Sequence, residues 1–199
     1  MCGRVRLSSD FSEIKIKLKF DAEAPAPNFE ADFNKPPTAP MLVAIRSHDG
    51  KRIPKMMKWG LIPHWAKDDK IQYSTHNARS EEFRTKPAFR DAWDGSPMVT
   101  AGLWSSWKNP ASGEEILTCT MMTCEPNRVM AELHDRMPVI LAEQDWPKWL
   151  GEEPATESEL LALLKPCPDE ALKVWPVNNA VGNVRNNGRE LAEPLSLLL

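Results

Sequence analysis

The chain has 199 residues, of which 42% are hydrophobic and 27% are charged, and it carries a formal net charge of −3 with a sequence pI near 5.9. This composition is typical of a globular protein, and it argues against a protein that coats nucleic acid through bulk positive charge. We therefore predict a single domain over residues 1–199, with any basic cleft confined to a local patch on an acidic body.

Membrane and metal-binding classes are also disfavoured. No apolar run approaches the roughly 20 residues of a transmembrane helix, and the charged residues Arg4, Arg6 and Asp10 interrupt any secretory signal. We expect a cytoplasmic protein with no membrane partner. The four cysteines and four histidines do not show metal-ligand spacing, so we expect no metal.

The N-terminal half is predicted to consist of short elements separated by turns. In chain order these are a strand over residues 2–7, a helix over 11–18, an irregular proline-rich segment over 21–40, and strands over 41–46 and 53–59. Asp10 with Glu13 resembles a capping box at the start of the helix. His48-Asp49-Gly50-Lys51 is typical of a hairpin turn between the two later strands.

The C-terminal half continues this pattern. The predicted elements are a helix from the loop at 77–79 to Trp93, strands over 98–104 and 116–123, a helix over 126–133, a strand over 138–141 and a helix through Leu164. The turn-rich residues 108–113 are predicted to connect the two long strands as a hairpin. Thr156 with Glu159 resembles a second capping box. Short strands interspersed with short helices predict an α+β fold.

The N-terminus carries an unusual chemical pair. Removal of Met1 would leave Cys2 with a free α-amine and a thiol on adjacent carbons. The amine condenses with an aldehyde to an imine, and the thiol then adds to the same carbon and closes a thiazolidine ring. Reference pKa values of about 8 for the amine and about 8.5 for the thiol leave both groups partly reactive near neutrality. This chemistry needs only proton transfer, so we expect no cofactor.

Five separated sequence blocks accompany this N-terminus. In order they are Met1-Cys2-Gly3-Arg4, Trp59-Gly60-Leu61-Ile62-Pro63, Asn77-Ala78-Arg79, His134-Asp135-Arg136-Met137-Pro138 and Val181-Gly182-Asn183-Val184. Together they resemble the SOS response-associated peptidase family, also described as abasic-site processing proteins. The resemblance implies coiled, barrel-like, mostly antiparallel sheets with short peripheral helices. It also implies a shallow cleft for single-stranded DNA, loss of Met1 by self-processing, and a thiazolidine crosslink between Cys2 and the abasic-site aldehyde.

The resemblance assigns three catalytic roles. Cys2 would be the nucleophile, and Asn77 would orient the Cys2 amine or the sugar hydroxyls through an amide that both donates and accepts. His134 would be the general acid–base, with a reference pKa near 6.5. The ordinary alternatives are an asparagine that stabilises a turn and a histidine with a structural role.

DNA binding is implied for two groups of residues. Arg79 and Arg136 would hold phosphates on either side of the lesion, and Arg4 would add to the same basic floor. The apolar block, comprising Trp59, Gly60, Leu61 and Pro63, would stack or wedge against neighbouring bases. The alternatives are ion pairs for the arginines and core packing for the apolar block.

Ser105 departs from the family pattern. The run Gly102-Leu103-Trp104-Ser105 has serine where the family carries a glutamate that is thought to assist proton transfer in Met1 removal and crosslinking. A serine cannot act as a carboxylate base, although Glu114 or Glu115 across the predicted hairpin could substitute. Three functions stay open: an active abasic-site crosslinker with self-peptidase and lyase activity, an impaired or non-catalytic lesion binder, and an N-terminal cysteine peptidase. We expect a monomer in each case.

Overall fold

A computed structural model of the chain describes residues 3–69, 75–80, 88–89 and 98–195. Within these residues the strands are β1 Val5–Leu7, β2 Asp32–Lys35, β3 Pro40–Arg46, β4 Arg52–Trp59, β5 Asn77–Arg79, β6 Ala88–Phe89, β7 Gly102–Lys108, β8 Glu115–Cys124 and β9 Met137–Pro138. The helices are α1 Phe11–Lys17, α2 Arg128–Ala131, α3 Trp146–Leu150 and α4 Glu157–Ala162. Because none of these helices exceeds the seven residues of α1, the sheets organise the fold.

Strand β8 is the centre of a seven-stranded sheet whose order is β3-β4-β8-β7-β6. β4 and β5 lie parallel to β8 along one of its edges, and β7 and β9 lie antiparallel along the other. β1 and β2 form a separate antiparallel pair. The predicted α+β class is confirmed and antiparallel pairs predominate, but the described strands do not close into a barrel.

The two faces of the large sheet bury separate apolar clusters. One cluster includes Ile14 from α1, Trp146 from α3 and Met122 from β8, each at most 2% exposed. The other includes Trp59 at the end of β4 and Met121 of β8. Neighbouring side chains of a strand point to opposite faces, so β8 needs apolar residues on both sides. This explains its nearly continuous apolar sequence.

An ion pair fastens the β3–β4 hairpin to the helical side of the molecule. The Arg52 guanidinium donates from Nε to Glu152 Oε1 at 2.8 Å and from Nη2 to Glu152 Oε2 at 2.5 Å. Its third nitrogen donates to the carbonyl of Leu18 at 2.7 Å, and the group lies 5.9 Å from the Trp146 ring centre. The two side chains are 10% and 21% exposed, so this bidentate pair is largely shielded from water.

We predict that Arg52→Ala lowers the free energy of unfolding by about 3 kcal/mol, because it leaves the Glu152 carboxylate partly buried without its partner. Urea denaturation with an unchanged m-value measures the loss. Lys51→Ala is the matched control, since Lys51 is 44% exposed in its pair with Asp21 and its removal should cost less than about 1 kcal/mol. Equal losses for both variants would contradict the prediction.

Several predicted elements agree with the structure. The β3–β4 and β7–β8 hairpins are confirmed, with registers that pair Met41 with Met57 and Ser105 with Thr118. The second capping box is also confirmed, because Thr156 accepts from the Glu159 backbone and Glu159 accepts from the Thr156 backbone. At the first helix, Asp10 caps through the Ser12 N–H.

Other predicted elements were wrong. The irregular segment 21–40 contains strand β2, which forms because Val5 and Leu7 pair with it. The predicted loop at 77–79 is strand β5, and residues 88–89, within the predicted helix up to residue 93, are strand β6. The rest of that helix, including Pro87, lies outside the described residues. Helix α3 was not predicted, and its tryptophans 146 and 149 are buried.

Candidate functional site

Two of the sequence blocks meet at one end of β8. Asn77 and Arg79 of β5 pair in register with Met121 and Thr123 on one edge. On the other edge Pro138 of β9 pairs with the same Thr123. The Asn-Ala-Arg block and the His-Asp-Arg-Met-Pro block, far apart in sequence, therefore flank the same few residues of the central strand.

Thr123 joins these blocks through its side chain. It is 1% exposed, and its Oγ1 donates to the Ala78 carbonyl at 3.3 Å. The Arg136 guanidinium donates to the Thr123 carbonyl at 2.6 Å and to Oγ1 at 3.4 Å. Sequence analysis missed this residue, because a threonine in a strand is ordinary. No sequence signal distinguished it, because β8 also contains Thr118 and Thr120.

Two cationic side chains lie at this end of the sheet. Arg79 is exposed, whereas Arg136 is partly buried by its contacts with Thr123. Arg79 pairs in register with Thr123, and the Arg136 guanidinium contacts that same residue, so both cationic residues lie at this end of β8.

His134 lies on the exposed loop that leads into β9. Its Nδ1 is 2.6 Å from Asp135 Oδ1 and accepts the Arg136 backbone N–H at 3.0 Å. These two contacts hold the ring between the Asp135 carboxylate and the Arg136 backbone just before β9.

The apolar block that begins with Trp59 is packed against the sheet. Trp59 is 1% exposed and its Nε1 donates to the His76 carbonyl at 2.8 Å, while Leu61 is 8% exposed. Gly60 has a φ of 141°, a conformation that favours glycine, and its N–H donates to the Cys119 carbonyl at 2.8 Å. Pro63 is half-buried. Trp59 and Leu61 therefore lie in the core and Gly60 shapes the turn.

Trp65 provides the exposed aromatic surface that follows this block. Its side chain is 73% exposed, the largest exposed fraction among the described tryptophans, and Trp175 follows at 41%. An exposed indole of this kind is expensive to leave in water and is well suited to stacking. Sequence analysis did not select Trp65, because sequence alone does not reveal which tryptophan is buried.

Ser105 lies on β7 opposite Thr118. Its Oγ donates to the Ser106 carbonyl at 3.4 Å, and its carbonyl accepts from Thr118 Oγ1 at 3.2 Å. Glu115 instead bonds to the Ser106 hydroxyl. Neighbouring residues of a strand face opposite sides, so the Glu115 carboxylate lies on the other face of the sheet from Ser105.

The described cysteines are unsuited to nucleophilic chemistry. Burial raises the pKa of Cys119 to about 12. Burial likewise raises the pKa of Cys124 to about 12, against a smaller lowering by the Arg136 guanidinium, and it raises the pKa of Cys167. All three thiols are therefore protonated at neutral pH. Cys2 and Met1 lie outside the described residues.

Arg4, just before the N-terminal strand, bonds to backbone carbonyls. Arg4 donates to the carbonyls of Gly3 and Gly182, at 2.8 and 3.2 Å. Within the described residues, no group of three His, Cys, Asp or Glu side chains is placed to hold a metal ion. Among the helices described, none has the length and apolar character needed to cross a membrane.

Known proteins resemble this chain in sequence and in fold. The family model described as SOS response associated peptidase (SRAP) matches residues 1–95 and 91–184. Abasic site processing protein YoqW of Bacillus subtilis is 33% identical over 224 residues, covering 97% of this chain and 99% of that protein. Abasic site processing protein HMCES of Xenopus tropicalis is 28% identical over 223 residues, covering 81% of this chain and 65% of that protein.

A solved structure of a protein from Bacteroides thetaiotaomicron has a TM-score of 0.77 at 18% identity, covering 98% of this chain and all of that one (100%). A second, from Bordetella bronchiseptica, has a TM-score of 0.67 at 24% identity, covering 85% of this chain and 96% of that one. These likenesses show the shared fold. On the family model and the 33% identity to YoqW, the chain belongs to the SOS response associated peptidase family.

Proposed function

We propose that this protein processes abasic sites in single-stranded DNA by forming a thiazolidine crosslink through Cys2 after Met1 is removed. The observation that carries the proposal is the meeting of the Asn77–Arg79 and His134–Pro138 blocks around Thr123. Relatives that are named abasic site processing proteins support the substrate. The protein would act as a cytoplasmic monomer in the response to DNA damage and shield the lesion.

The proposed reaction needs no external oxidant or reductant. The Cys2 amine adds to the C1′ aldehyde of the ring-opened sugar, and loss of one water gives an imine. The Cys2 thiol then adds to the imine carbon, its proton passes to the nitrogen, and the five-membered ring closes. His134 would carry protons in both steps, and Asn77 would orient the amine or the sugar hydroxyls. Hydrolysis of the Met1–Cys2 amide by one water would come before both steps, because it frees the Cys2 amine. Lyase activity would start from the imine.

DNA would lie across the end of β8. The exposed Arg79 and the partly buried Arg136 would hold phosphates on either side of the lesion. Trp65, rather than the apolar block, would stack on the bases beside the lesion, because Trp59 and Leu61 are buried. Gly60 and Pro63 would set the path of the chain that carries this tryptophan.

We predict that Arg136→Ala weakens binding to single-stranded DNA similarly for all sequences. It should reduce the slope of log K against log salt by about 0.7, the value for one lost phosphate contact. Arg189→Ala is the matched control, since Arg189 is 84% exposed and pairs with Glu193 in the C-terminal segment. Fluorescence anisotropy over a salt series measures both slopes. An unchanged slope for Arg136→Ala would remove this residue from the phosphate role.

A denaturing gel tests the proposed function. The Met1-free chain is incubated with single-stranded DNA that carries one abasic site, and the mixture is heated in detergent. A shifted band that persists after heating supports the crosslinker. Binding in a native gel without a heat-stable band would instead support a lesion binder, and cleavage of peptides alone would support an N-terminal cysteine peptidase.

The lesion binder is the second candidate, and Ser105 favours it. The described Glu115 carboxylate bonds to Ser106 on the opposite face, so the acid that the family pattern places at 105 has no substitute from this neighbour. The DNA-binding features at the end of β8 do not depend on that acid. A chain that has lost this acid would keep its affinity for damaged DNA while reacting slowly.

A further inference from the structure

A C-terminal loop, residues 178–187, is bonded to the small β1–β2 sheet. Asn34 of β2 donates from Nδ2 to the carbonyls of Asn183 at 2.9 Å and Asn186 at 3.0 Å. The Phe33 backbone N–H donates to Asn187 Oδ1 at 2.7 Å. These contacts join residues about 150 positions apart, with separations of 149, 152 and 154. We call the Asn34 side chain with its two carbonyl partners the asparagine clamp.

Asn34 is placed for this joining role. Its side chain is 2% exposed, although asparagine is usually found at the surface. A buried amide is tolerated when its hydrogens find acceptors, and here both hydrogens of Nδ2 have carbonyl acceptors. A side chain without these two N–H donors would leave the Asn183 and Asn186 carbonyls without their hydrogen bonds to residue 34. The clamp therefore determines where the loop rests on β2.

The same loop reaches the strand that carries the chain end. Val5 of β1 pairs with Lys35 of β2, next to Asn34. Arg4 then bridges the two sides, because its guanidinium donates to the Gly3 carbonyl at 2.8 Å and to the Gly182 carbonyl at 3.2 Å. The backbone at residues 3–5 is thus held both by strand pairing with β2 and by the Arg4 hydrogen bond to the loop.

We propose that the asparagine clamp and Arg4 together fix the position and direction from which the N-terminal aminothiol approaches its aldehyde. Asn34 is then a positioning residue, and Arg4 acts on the chain end rather than on phosphate. This inference rests on the proposed function. Ring closure requires one carbon to meet two groups of residue 2 in succession, and misplacement by about 1 Å can cost about 10²-fold in such reactions.

The test separates reaction rate from binding. The Met1-free full chain is mixed in excess with single-stranded DNA that carries one abasic site, and the crosslinking rate is measured at saturation. Affinity is measured separately on DNA with a tetrahydrofuran analogue, which lacks the aldehyde. Asn34→Ala should lower the saturated rate about tenfold or more and leave the Kd within about twofold. Asn178→Ala is the control, because its side chain caps Ala180 within the loop at 2.8 Å.

Each outcome has a distinct meaning. A wild-type chain that forms no adduct overturns the proposed function and this inference with it. A reactive wild type with an equally fast Asn34→Ala overturns the clamp alone. Should Asn34→Ala fail to fold, Arg4→Ala and Arg4→Lys are measured instead. The clamp is supported if Arg4→Ala lowers the saturated crosslinking rate, Arg4→Lys restores part of that rate, and the salt slope of DNA binding is unchanged. A slope reduced by about 0.7 with a normal saturated rate assigns Arg4 to phosphate and overturns the inference.

Discussion

Cys2→Ala is expected to abolish the heat-stable adduct with abasic-site DNA while native binding persists. The thiol supplies the bond that closes the ring, and the described cysteines offer no replacement because burial holds each of them as a protonated thiol. An alanine at position 2 keeps the α-amine, so an imine can still form, but it hydrolyses on heating. A denaturing gel measures the loss of the adduct. Fluorescence anisotropy with the same DNA shows that binding is retained.

Cys2→Ser is the matched control for this loss. It keeps the amine and the size of the side chain but replaces the thiol with a much weaker nucleophile. We expect an adduct that borohydride traps at the imine stage and that disappears on heating without reductant. A heat-stable band from Cys2→Ala at the wild-type level would show that the crosslink forms elsewhere.

Ser105→Glu is expected to accelerate both Met1 removal and crosslinking by about 10²-fold or more, the usual contribution of a general acid–base group. Ser105 is half-buried, and its hydroxyl makes only a long contact of 3.4 Å to the Ser106 carbonyl, so the substitution gives up little existing bonding. Intact-mass spectrometry of purified chains measures the fraction that has lost Met1. Single-turnover gels measure crosslinking.

Ser105→Gln provides the control for this gain. Glutamine has nearly the size of glutamate but carries no carboxylate, so it should leave both rates unchanged. Equal rates for wild type and Ser105→Glu would contradict the assignment of position 105, and equal gains in both variants would indicate an effect of side-chain size rather than of an acid.

Local sequence signals predicted part of the fold. The turn at 48–51 predicted the β3–β4 hairpin, and the Thr156–Glu159 capping box predicted α4, because these elements depend on neighbouring residues. Strands β2 and β5 were missed for the opposite reason. Each is three or four residues long and is held by pairing with a distant strand, a tertiary effect that local propensity does not contain.

The candidate site was predicted in outline. The blocks around Asn77 and His134 were selected from sequence, and the structure brings them to one end of β8. Their connection through Thr123 was not predicted, because it depends on the hydrogen bonds that the Thr123 hydroxyl makes to Ala78 and Arg136 in the folded chain. Sequence analysis also favoured Trp59 for stacking, whereas burial leaves Trp65 as the exposed ring. The role of Cys2 stays a prediction.

The decisive measurement is the intact mass of the adduct between the Met1-free chain and DNA with one abasic site, followed by mapping of the modified peptide. We expect the sum of the protein and DNA masses less one water, with the modification on Cys2. An adduct of another mass or on another residue, or no adduct from a chain that binds the lesion, would contradict the proposed crosslink.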